Sequence, residues 1–198
     1  MSAVEVRVAR ADEAAAAARL HCSRITEGFL PTLGPAFLAR LYRRTVLDPH
    51  SFLLVAEREG AVVGMAAGTE GVGALYRTFI LRDGIAATLR ALPRVLRALG
   101  RVVETLRYPG GDGGTDLPAA EVLAVAVDRD AAGRGVGRLL VEAAVAEFTR
   151  RGVAAVKVVA GAGNEPALGL YRATGFVDAA TVEVHAGTPS VVLVRSLP

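Results

Sequence analysis

Apolar and polar residues change their spacing several times along this chain of 198 residues. Short apolar or alternating runs between turn-forming residues predict seven strands, at about 4–8, 51–57, 61–69, 121–127, 154–159, 176–185 and 190–196. Apolar residues at three- and four-residue steps predict helices at about 12–29, from Pro35 onward, at 136–151 and at 165–173. The order of these elements predicts one domain over residues 1–198, built on a mixed sheet with helices packed against it.

A mostly helical pattern interrupts this order between the third and fourth strands, at about residues 74–117. Pro93 is expected to break the pattern, and the glycine-rich residues 108–118 are expected to return the chain to the sheet. Within it, apolar residues repeat at helical steps beside a parallel row of arginines: Leu89, Leu92, Leu96, Leu99, Val103 and Leu106, with Arg90, Arg94, Arg97 and Arg101. Three interpretations stay open: a packed helix with solvated arginines, a lid that meets an anionic substrate, or a surface that adsorbs to an anionic membrane.

The positive charge of the chain is concentrated in that insertion. The chain has a formal net charge of +3, with 22 arginines and a single lysine, Lys157. Residues 74–108 hold seven arginines against Asp83 and Glu104, so the remainder of the chain is slightly acidic. A general nucleic-acid-binding protein carries a broader basic surface, and we therefore expect no nucleic-acid partner.

The sequence lacks the usual signals of membrane insertion, secretion and metal binding. No run approaches the roughly 20 apolar residues of a membrane span, and Glu5 and Asp12 fall where a signal peptide has its apolar region. Cys22 is the single cysteine and the three histidines are scattered, so neither an internal disulfide nor a metal-ligand cluster is expected. These features predict a cytoplasmic protein without a bound metal.

The most informative segment is AVDRDAAGRGVGRLLVEAA, residues 126–144, which joins a predicted strand to a predicted helix. Three glycines stand there at alternate positions, Gly133, Gly135 and Gly137. The first amides of a helix have no partner within it and lie at the positive end of its dipole, and glycines let a diphosphate reach the backbone. The pattern therefore predicts an anion site, with a plain turn as the alternative.

Two familiar phosphate-binding motifs do not fit these residues. The P-loop requires Gly-Lys-Ser/Thr, whereas Arg-Leu-Leu follows Gly137. The dinucleotide fingerprint requires glycine where Leu140 stands, and an acidic residue at the end of the next strand, where the chain has Val159-Ala160-Gly161. The anion expected at the loop is therefore neither a nucleoside triphosphate held by a P-loop nor a dinucleotide.

The segment resembles motif A of the GNAT acyltransferase superfamily, whose pattern is Gln/Arg-x-x-Gly-x-Gly/Ala after a bulged strand. Ala132 stands at the Gln/Arg position, which is a departure. A second stretch, NEPALGLYRATGF, matches the superfamily pattern Asn-x-x-Ala-x-x-Leu-Tyr-x-x-x-Gly-Phe at Asn164, Ala167, Leu170, Tyr171, Gly175 and Phe176. The resemblance covers about 119–197 by motif and 1–70 by element order. It implies an α/β fold of GNAT type, with a mixed, mostly antiparallel central sheet flanked by helices and an extra helical insertion between strands 3 and 4.

The resemblance implies that the chain binds acetyl-CoA as an acyl donor. The backbone amides of 133–138 would hold the diphosphate, the strand edge at 125–127 would pair with the pantetheine arm, and Asn164 would line that arm. The implied donor-binding residues are Val125, Ala126, Val127, Ala132, Gly133, Arg134, Gly135, Val136, Gly137, Arg138 and Asn164. The side chains of Arg134 and Arg138 either add charge near the phosphates or are solvated at the start of the helix.

The same resemblance implies direct attack of an amine on the bound thioester, with two candidate residues for the proton transfers. Tyr171 would lie near the sulfur, where its phenol suits protonation of the leaving thiolate; the alternative is a tyrosine packed in the core. Glu121 begins the strand beside the expected cleft and would act as a base through water; the alternative is an ordinary carboxylate at a strand end. A backbone N–H of strand 121–127 would stabilise the oxyanion.

The expected function is transfer of an acyl group, acetyl by default, from acetyl-CoA to the primary amine of a small molecule. If the basic insertion is a lid, the acceptor would be anionic, such as a phosphorylated or nucleotide-linked amino sugar, and a weak likeness to GNAT members of bacterial polysaccharide and sugar modification points to a sugar-linked amine. A noncatalytic CoA-binding or interaction module on the same fold is the alternative, which the presence of Tyr171 disfavours. The sequence leaves open the identity of the acceptor and the choice between a monomer and a homodimer.

Overall fold

The computed structural model describes residues 3–25, 30–84, 117–185 and 188–198. Seven described strands form one sheet: β1 (Glu5–Val8), β2 (Ser51–Arg58), β3 (Ala61–Thr69), β4 (Glu121–Val127), β5 (Ala155–Gly161), β6 (Val177–His185) and β7 (Thr188–Ser196). The described α-helices are α1 (Ala14–Arg24), α2 (Pro35–Leu47), α3 (Val72–Phe79), α4 (Val136–Arg150) and α5 (Glu165–Ala173). Short 3-10 turns lie at Ala11–Glu13, Leu30–Leu33 and Arg129–Ala131, and a π turn lies at Ile80–Gly84.

The strands follow one another across the sheet in the order β1-β2-β3-β4-β5-β7-β6. Each neighbouring pair is antiparallel except β4 and β5, which run parallel. The β2–β3 hairpin turns at Glu59 and Gly60, whose φ angles of 54° and 78° match the type I′ turn that suits the twist of a hairpin. The predicted mixed, mostly antiparallel sheet is confirmed.

Apolar side chains cover both faces of the sheet. Successive residues of a strand point to opposite faces, so Phe52 and Leu54 lie in one cluster while Leu53 and Val55 lie in the other. The first cluster joins the sheet to α4 and α5, and the second joins it to α1 and α2. Because β2 is covered on both sides, its sequence is an uninterrupted apolar run rather than an alternating one.

Arg151 fastens the carboxyl end of α4 to the sheet. Its guanidinium donates to the carbonyls of Pro49 at 2.8 Å and Ser51 at 3.1 Å, and it forms ion pairs with Glu70 and Glu147. It also lies over the ring of Phe52, 5.1 Å from the centroid. This anchoring fixes α4 across the sheet, so that its amino end lies beside the carboxyl end of β4.

Only the first part of the predicted insertion falls within the described residues. There α3 and the π turn after it are helical, and Arg44 on α2 donates to Asp83 with 2.5 Å between Nε and Oδ2. This ion pair ties the beginning of the insertion to α2. Residues 85–116, which include Pro93 and the row of arginines, lie outside the described residues, so the three interpretations of that row stay predictions.

Candidate active site

Strands β4 and β5 pair with each other over two residues only, at the beginning of β4 and the middle of β5. Glu121 pairs with Lys157 and Val122 with Val158, and the Lys157 amide donates to the Ala120 carbonyl at 3.0 Å. Beyond Val122 the two strands share no register, although β5 is paired with β7 from Ala155 to Gly161. The sheet therefore contains a V-shaped gap that opens toward the carboxyl end of β4.

A β-bulge at Leu123 marks the point where the gap begins. The register between β3 and β4 steps from Ala67–Ala124 to Gly68–Val122, which leaves Leu123 without a partner on β3. A bulge bends the strand that carries it and increases its local twist. The bend accounts for the divergence of β4 from β5, and it is the bulged strand that the sequence resemblance implies.

The edge of β4 that faces the gap carries backbone groups that bind no neighbouring strand of the described sheet. The Asp128 amide donates to the Val63 carbonyl at 2.8 Å, so Val127 and Gly64 form a non-hydrogen-bonded pair of the antiparallel ladder. Alternation then directs the N–H and C=O groups of Val125 and Val127 away from β3 and into the gap. Ala126, predicted from the resemblance to share this edge, directs its backbone groups to Met65 on β3 instead.

The loop after β4 presents a row of free backbone amides. Gly133 and Gly135 have φ angles of 72° and 80°, in the left-handed region that glycine adopts without strain, and α4 begins directly after them. Among the described residues, none accepts a hydrogen bond from the amides of 133–138, and the ladder starts with the bond from Leu139 to the Gly135 carbonyl at 3.0 Å. These amides lie at the positive end of α4, an arrangement that binds anions.

Gly137 has a different role from the other two glycines of the loop. It lies inside α4, and a Cβ placed on it would be 3.3 Å from Cδ2 of Leu170 on α5 and 3.8 Å from Cγ2 of Val127. The absence of a side chain therefore lets α4 and α5 approach each other at the open end of the gap. The spacing of the three glycines does not distinguish Gly137 from the other two, because contacts between helices cannot be read from the sequence.

The two arginines of the loop differ in their surroundings. Arg138 is 62% exposed and donates to Glu142 one turn later, with 2.7 Å between Nε and Oε1. This is the ordinary pairing of oppositely charged residues along a helix surface. Arg134 is exposed in the loop itself, and Ala132, at the position of departure from the motif, is exposed as well.

Asn164 caps the helix that carries the second motif. Its Oδ1 accepts a hydrogen bond from the Ala167 amide at 3.2 Å, and Pro166 follows within the first turn of α5. Asparagine is one of the best residues at this position because it satisfies an otherwise unpaired amide. The predicted role of Asn164 along the pantetheine arm stays a prediction, while the structure assigns the side chain a stabilising contact that its place before Glu-Pro already signals.

Tyr171 lies on α5 in the same apolar cluster as α4. The residue is 6% exposed, and its ring packs edge-to-face against Phe176 with 5.8 Å between the centroids. Burial raises the pKa of the phenol above its ordinary value, so the hydroxyl stays protonated throughout the neutral range. The neighbouring Leu170 contacts the Gly137–Val127 corner, which places this helix beside the gap.

Glu121 lies at the closed end of the gap. Its carboxylate is 3.7 Å from Nζ of Lys157, and both side chains are 19% exposed. Burial raises the pKa of Glu121 while the Lys157 ammonium opposes that rise, and the net direction is upward. A carboxylate with a raised pKa, next to a cleft, is a candidate general base.

Three residues near the gap lack a sequence signal strong enough to single them out. Lys157 donates from Nζ to the Pro118 carbonyl as well as pairing with Glu121. Burial, together with the nearby carboxylate of Glu121, raises the pKa of Tyr76 on α3 to about 12. Arg24 at the end of α1 donates from Nε to the Val127 carbonyl at 3.0 Å. The one available hint is that Lys157 is the only lysine of the chain.

A buried histidine–tyrosine pair lies on the other face of the sheet. Nδ1 of His21 is 2.5 Å from the Tyr42 hydroxyl, while Nε2 of His21 is buried without a partner among the described residues. Burial lowers the pKa of His21 to about 4, so its imidazole is neutral at neutral pH. The described residues contain no group of three or more potential metal ligands and no helix long and apolar enough to cross a membrane.

Comparison with known proteins gives one family match and one curated relative. The acetyltransferase (GNAT) family matches residues 21–176, which extend from α1 to the residue before β6. A mycothiol acetyltransferase of Cellulomonas flavigena is 38% identical over 90 residues, which make up 44% of this chain and 26% of that protein. The chain therefore spans about a quarter of the length of this relative.

Solved structures with the same fold cover nearly the whole chain. Ard1 of Thermoplasma volcanium has a TM-score of 0.64 at 17% identity, covering 99% of both chains. The protein yncA of Salmonella typhimurium, a putative acetyltransferase solved with acetyl-CoA, has a TM-score of 0.63 at 19% identity, covering 99% of this chain and 95% of its own. The ribosomal-protein-S18-alanine N-acetyltransferase of Escherichia coli has a TM-score of 0.62 at 15% identity, covering 98% and 94%. With the family match over most of its length, the chain belongs to the GNAT family of N-acetyltransferases.

Proposed function

We propose that the protein transfers an acetyl group from acetyl-CoA to the primary amine of a small molecule. The observation that carries the proposal is the gap between β4 and β5, which has β4 backbone groups that bind no neighbouring strand along one edge and free amides at its open end. An extended ligand with an anionic group at one end and amides along its length would satisfy both sets of groups. Coenzyme A has this chemistry, because its diphosphate is followed by the two amides of the pantetheine arm.

The residues of the gap fit the donor in a defined direction. The amides of 133–138 would hold the diphosphate. The backbone groups of Val125 and the amide of Val127 would pair with the pantetheine arm, since the Val127 carbonyl already accepts a hydrogen bond from Arg24. From Val127 back to Glu121, β4 extends for about 20 Å at the usual rise of a strand. An arm that follows this edge would bring its thioester to the closed end of the gap, where Glu121 lies.

The chemistry proposed for that end requires two proton transfers. The amine nitrogen attacks the thioester carbonyl, forming a C–N bond as the C–S bond breaks. Glu121, directly or through a water molecule, accepts the proton that the amine loses, and the Tyr171 phenol donates a proton to the leaving sulfur. A β4 amide stabilises the oxyanion formed on attack. After the thiol departs, Glu121 releases its proton to solvent and Tyr171 takes one from solvent, which restores both residues.

The acceptor proposed here is defined by its amine. The names of the relatives refer to different molecules, mycothiol in one and the alanine of ribosomal protein S18 in another, so they do not select an acceptor for this chain. The arginines that favour an anionic acceptor lie outside the described residues. A phosphorylated or nucleotide-linked amino sugar is therefore proposed as the acceptor on the charge of the sequence alone.

Gly135→Asp is expected to lower CoA affinity at least tenfold, or about 1.4 kcal/mol. Any side chain is strained at the left-handed φ of Gly135, but aspartate is among the non-glycine residues that adopt this conformation most readily, so we expect a modest loss of stability without unfolding. The new carboxylate would occupy the open space at the amide row and repel the diphosphate. Isothermal calorimetry measures the affinity, and thermal unfolding checks the fold.

Two variants control this experiment. Gly135→Asn adds the same shape without the charge, and it should lose less affinity than Gly135→Asp. Gly152→Asp adds the same charge at a left-handed glycine beyond the far end of α4, where affinity should stay within twofold. Equal CoA affinity in Gly135→Asp and the unmodified protein would refute diphosphate binding at this loop.

Incubation with acetyl-CoA and a panel of primary amines should release free thiol in proportion to the acetylated amine formed. The panel should include neutral and anionic amino sugars, amino acids and simple alkylamines, with mass spectrometry of the product and a colour reagent for the thiol. The protein itself contributes at most one equivalent of thiol to the colour assay, from the half-buried Cys22.

The outcomes separate the candidate functions. Turnover with any amine supports catalysis, and the preferred amine identifies the acceptor class. Tight CoA binding without turnover on any amine would favour a noncatalytic CoA-binding module. Failure to bind CoA at all would refute the assignment of the gap itself.

A further inference from the structure

Arg24 links α1 to the edge of β4 at the open end of the gap. Its Nε donates to the Val127 carbonyl, across 103 positions of sequence, at 3.0 Å. That carbonyl is one of the groups that the register directs into the gap rather than toward β3. The guanidinium therefore lies at the mouth of the gap, on the side opposite α4.

The charge of Arg24 is uncompensated among the described residues. The side chain is exposed, and no described carboxylate forms an ion pair with it. One of the five N–H donors of a guanidinium is used on Val127, so the remaining donors are available to a ligand. Arg138, by contrast, already donates to Glu142, so the loop's own arginine at that position is engaged elsewhere.

Val127 lies between the guanidinium of Arg24 and the free amides of 133–138. Its carbonyl binds Arg24, and its side chain lies 3.8 Å from the point where a Cβ of Gly137 would stand, in the first turn of α4. Cation and amides therefore face the same end of the gap. Glu121, where the amine would react, is about 20 Å away along β4, so the position of Arg24 suits the phosphate end of the donor.

We infer that Arg24 is a donor-binding residue whose guanidinium contacts the diphosphate of coenzyme A from α1, opposite the amides of 133–138. The inference rests on the proposed function. It places a side-chain cation for the diphosphate outside both sequence motifs, on α1. A guanidinium suits this task because its planar fork binds two phosphate oxygens at once.

Arg24→Ala is expected to weaken CoA binding five- to tenfold, and Arg24→Lys should lose less because it keeps the charge. The matched control is Arg19→Ala, which removes an exposed arginine from the same helix and should change CoA affinity less than twofold. Calorimetry at low and high salt measures the affinities, and the loss in Arg24→Ala should shrink as salt screens the contact. Thermal unfolding should be alike for all three variants, since both side chains are on the surface.

Three ligands locate the contact on the donor. Dephospho-CoA keeps the diphosphate and lacks the 3′-phosphate, whereas pantetheine lacks every phosphate. The inference requires the same loss for CoA and dephospho-CoA in Arg24→Ala, with pantetheine, measured as a competitor, unchanged within twofold. A loss confined to CoA would assign Arg24 to the 3′-phosphate and overturn the inference, as would an equal loss for pantetheine, which would indicate an effect on the β4 edge.

The design separates this inference from the proposed function. If the unmodified protein binds CoA and Arg24→Ala binds it as well as Arg19→Ala does, the inference is wrong and the proposed function stands. If the unmodified protein binds no CoA, the proposed function fails and the role of Arg24 fails with it.

Discussion

Tyr171→Phe should lower kcat by about 10²–10⁴ while CoA affinity stays within a few-fold. The substitution removes one oxygen and keeps the ring that packs on Phe176, so the free energy of unfolding should change by no more than about 1.5 kcal/mol. A loss confined to kcat indicates an interaction made in the transition state, here the proton given to the leaving sulfur. Steady-state kinetics with the best amine of the panel, together with calorimetry for CoA, measures both quantities.

Tyr42→Phe is the matched control for this loss. It removes a phenol oxygen from the opposite face of the sheet, where the hydroxyl is bonded to the buried His21. Stability should fall by about 1–3 kcal/mol because a buried hydrogen bond is broken, and kcat should change little. Unaltered kcat in Tyr171→Phe with a lowered melting temperature would instead make Tyr171 a core residue, with the thiolate protonated by water.

Glu121→Gln should lower kcat/KM by about 10²–10⁴, the usual share of a positioned base. A base acts only when deprotonated, so activity of the unmodified enzyme should be present above the pKa of Glu121 and be lost as the pH falls through it. Because burial raises that pKa, the acid limb of kcat/KM should lie above the ordinary glutamate value of about 4.3. Glutamine does not titrate, so the residual activity of the variant should lack this limb.

Two further variants test whether the limb belongs to Glu121. Lys157→Met removes the ammonium that opposes the rise in the pKa of Glu121. The acid limb of kcat/KM should therefore move to higher pH. Glu57→Gln makes the same change at another ion-paired glutamate near a strand end, bonded to Arg7, and should leave the pH profile unchanged. An acid limb that persists in Glu121→Gln would assign the base to a different group.

The order of elements could be predicted from the sequence because the helix and strand signals are local. Pro35 begins α2, Gly152 and Gly175 follow the ends of α4 and α5 with positive φ, and the apolar run of β4 gives its bounds to the residue. The mixed sheet follows from the order of the elements. The helical insertion beyond Gly84 lies outside the described residues and stays a prediction.

The contacts around the gap depend on tertiary packing that spacing does not reveal. Gly137 differs in role from the other two glycines of the loop because it packs against Leu170, which lies more than thirty positions later in the chain. Arg24 reaches Val127 from an element that carries neither motif. The resemblance places the backbone edge at residues 125–127, but only the register shows that Val125 and Val127 face the gap while Ala126 faces β3.

The bulge at Leu123 lowers the stability of the free protein, because it separates β4 from β5. A regular β4 would continue its ladder with β5, gaining backbone hydrogen bonds that contribute about 0.5–1.5 kcal/mol each. The gap forgoes these bonds, so the free protein has an incomplete sheet, and a bound pantetheine arm would take the place of the missing partner. Since the unfolded chain has no such edge, binding of the proposed donor would stabilise the fold by linkage, by about 2.7 kcal/mol at a hundredfold excess over Kd. Resistance to heat and to proteolysis would then increase with the concentration of the acyl donor.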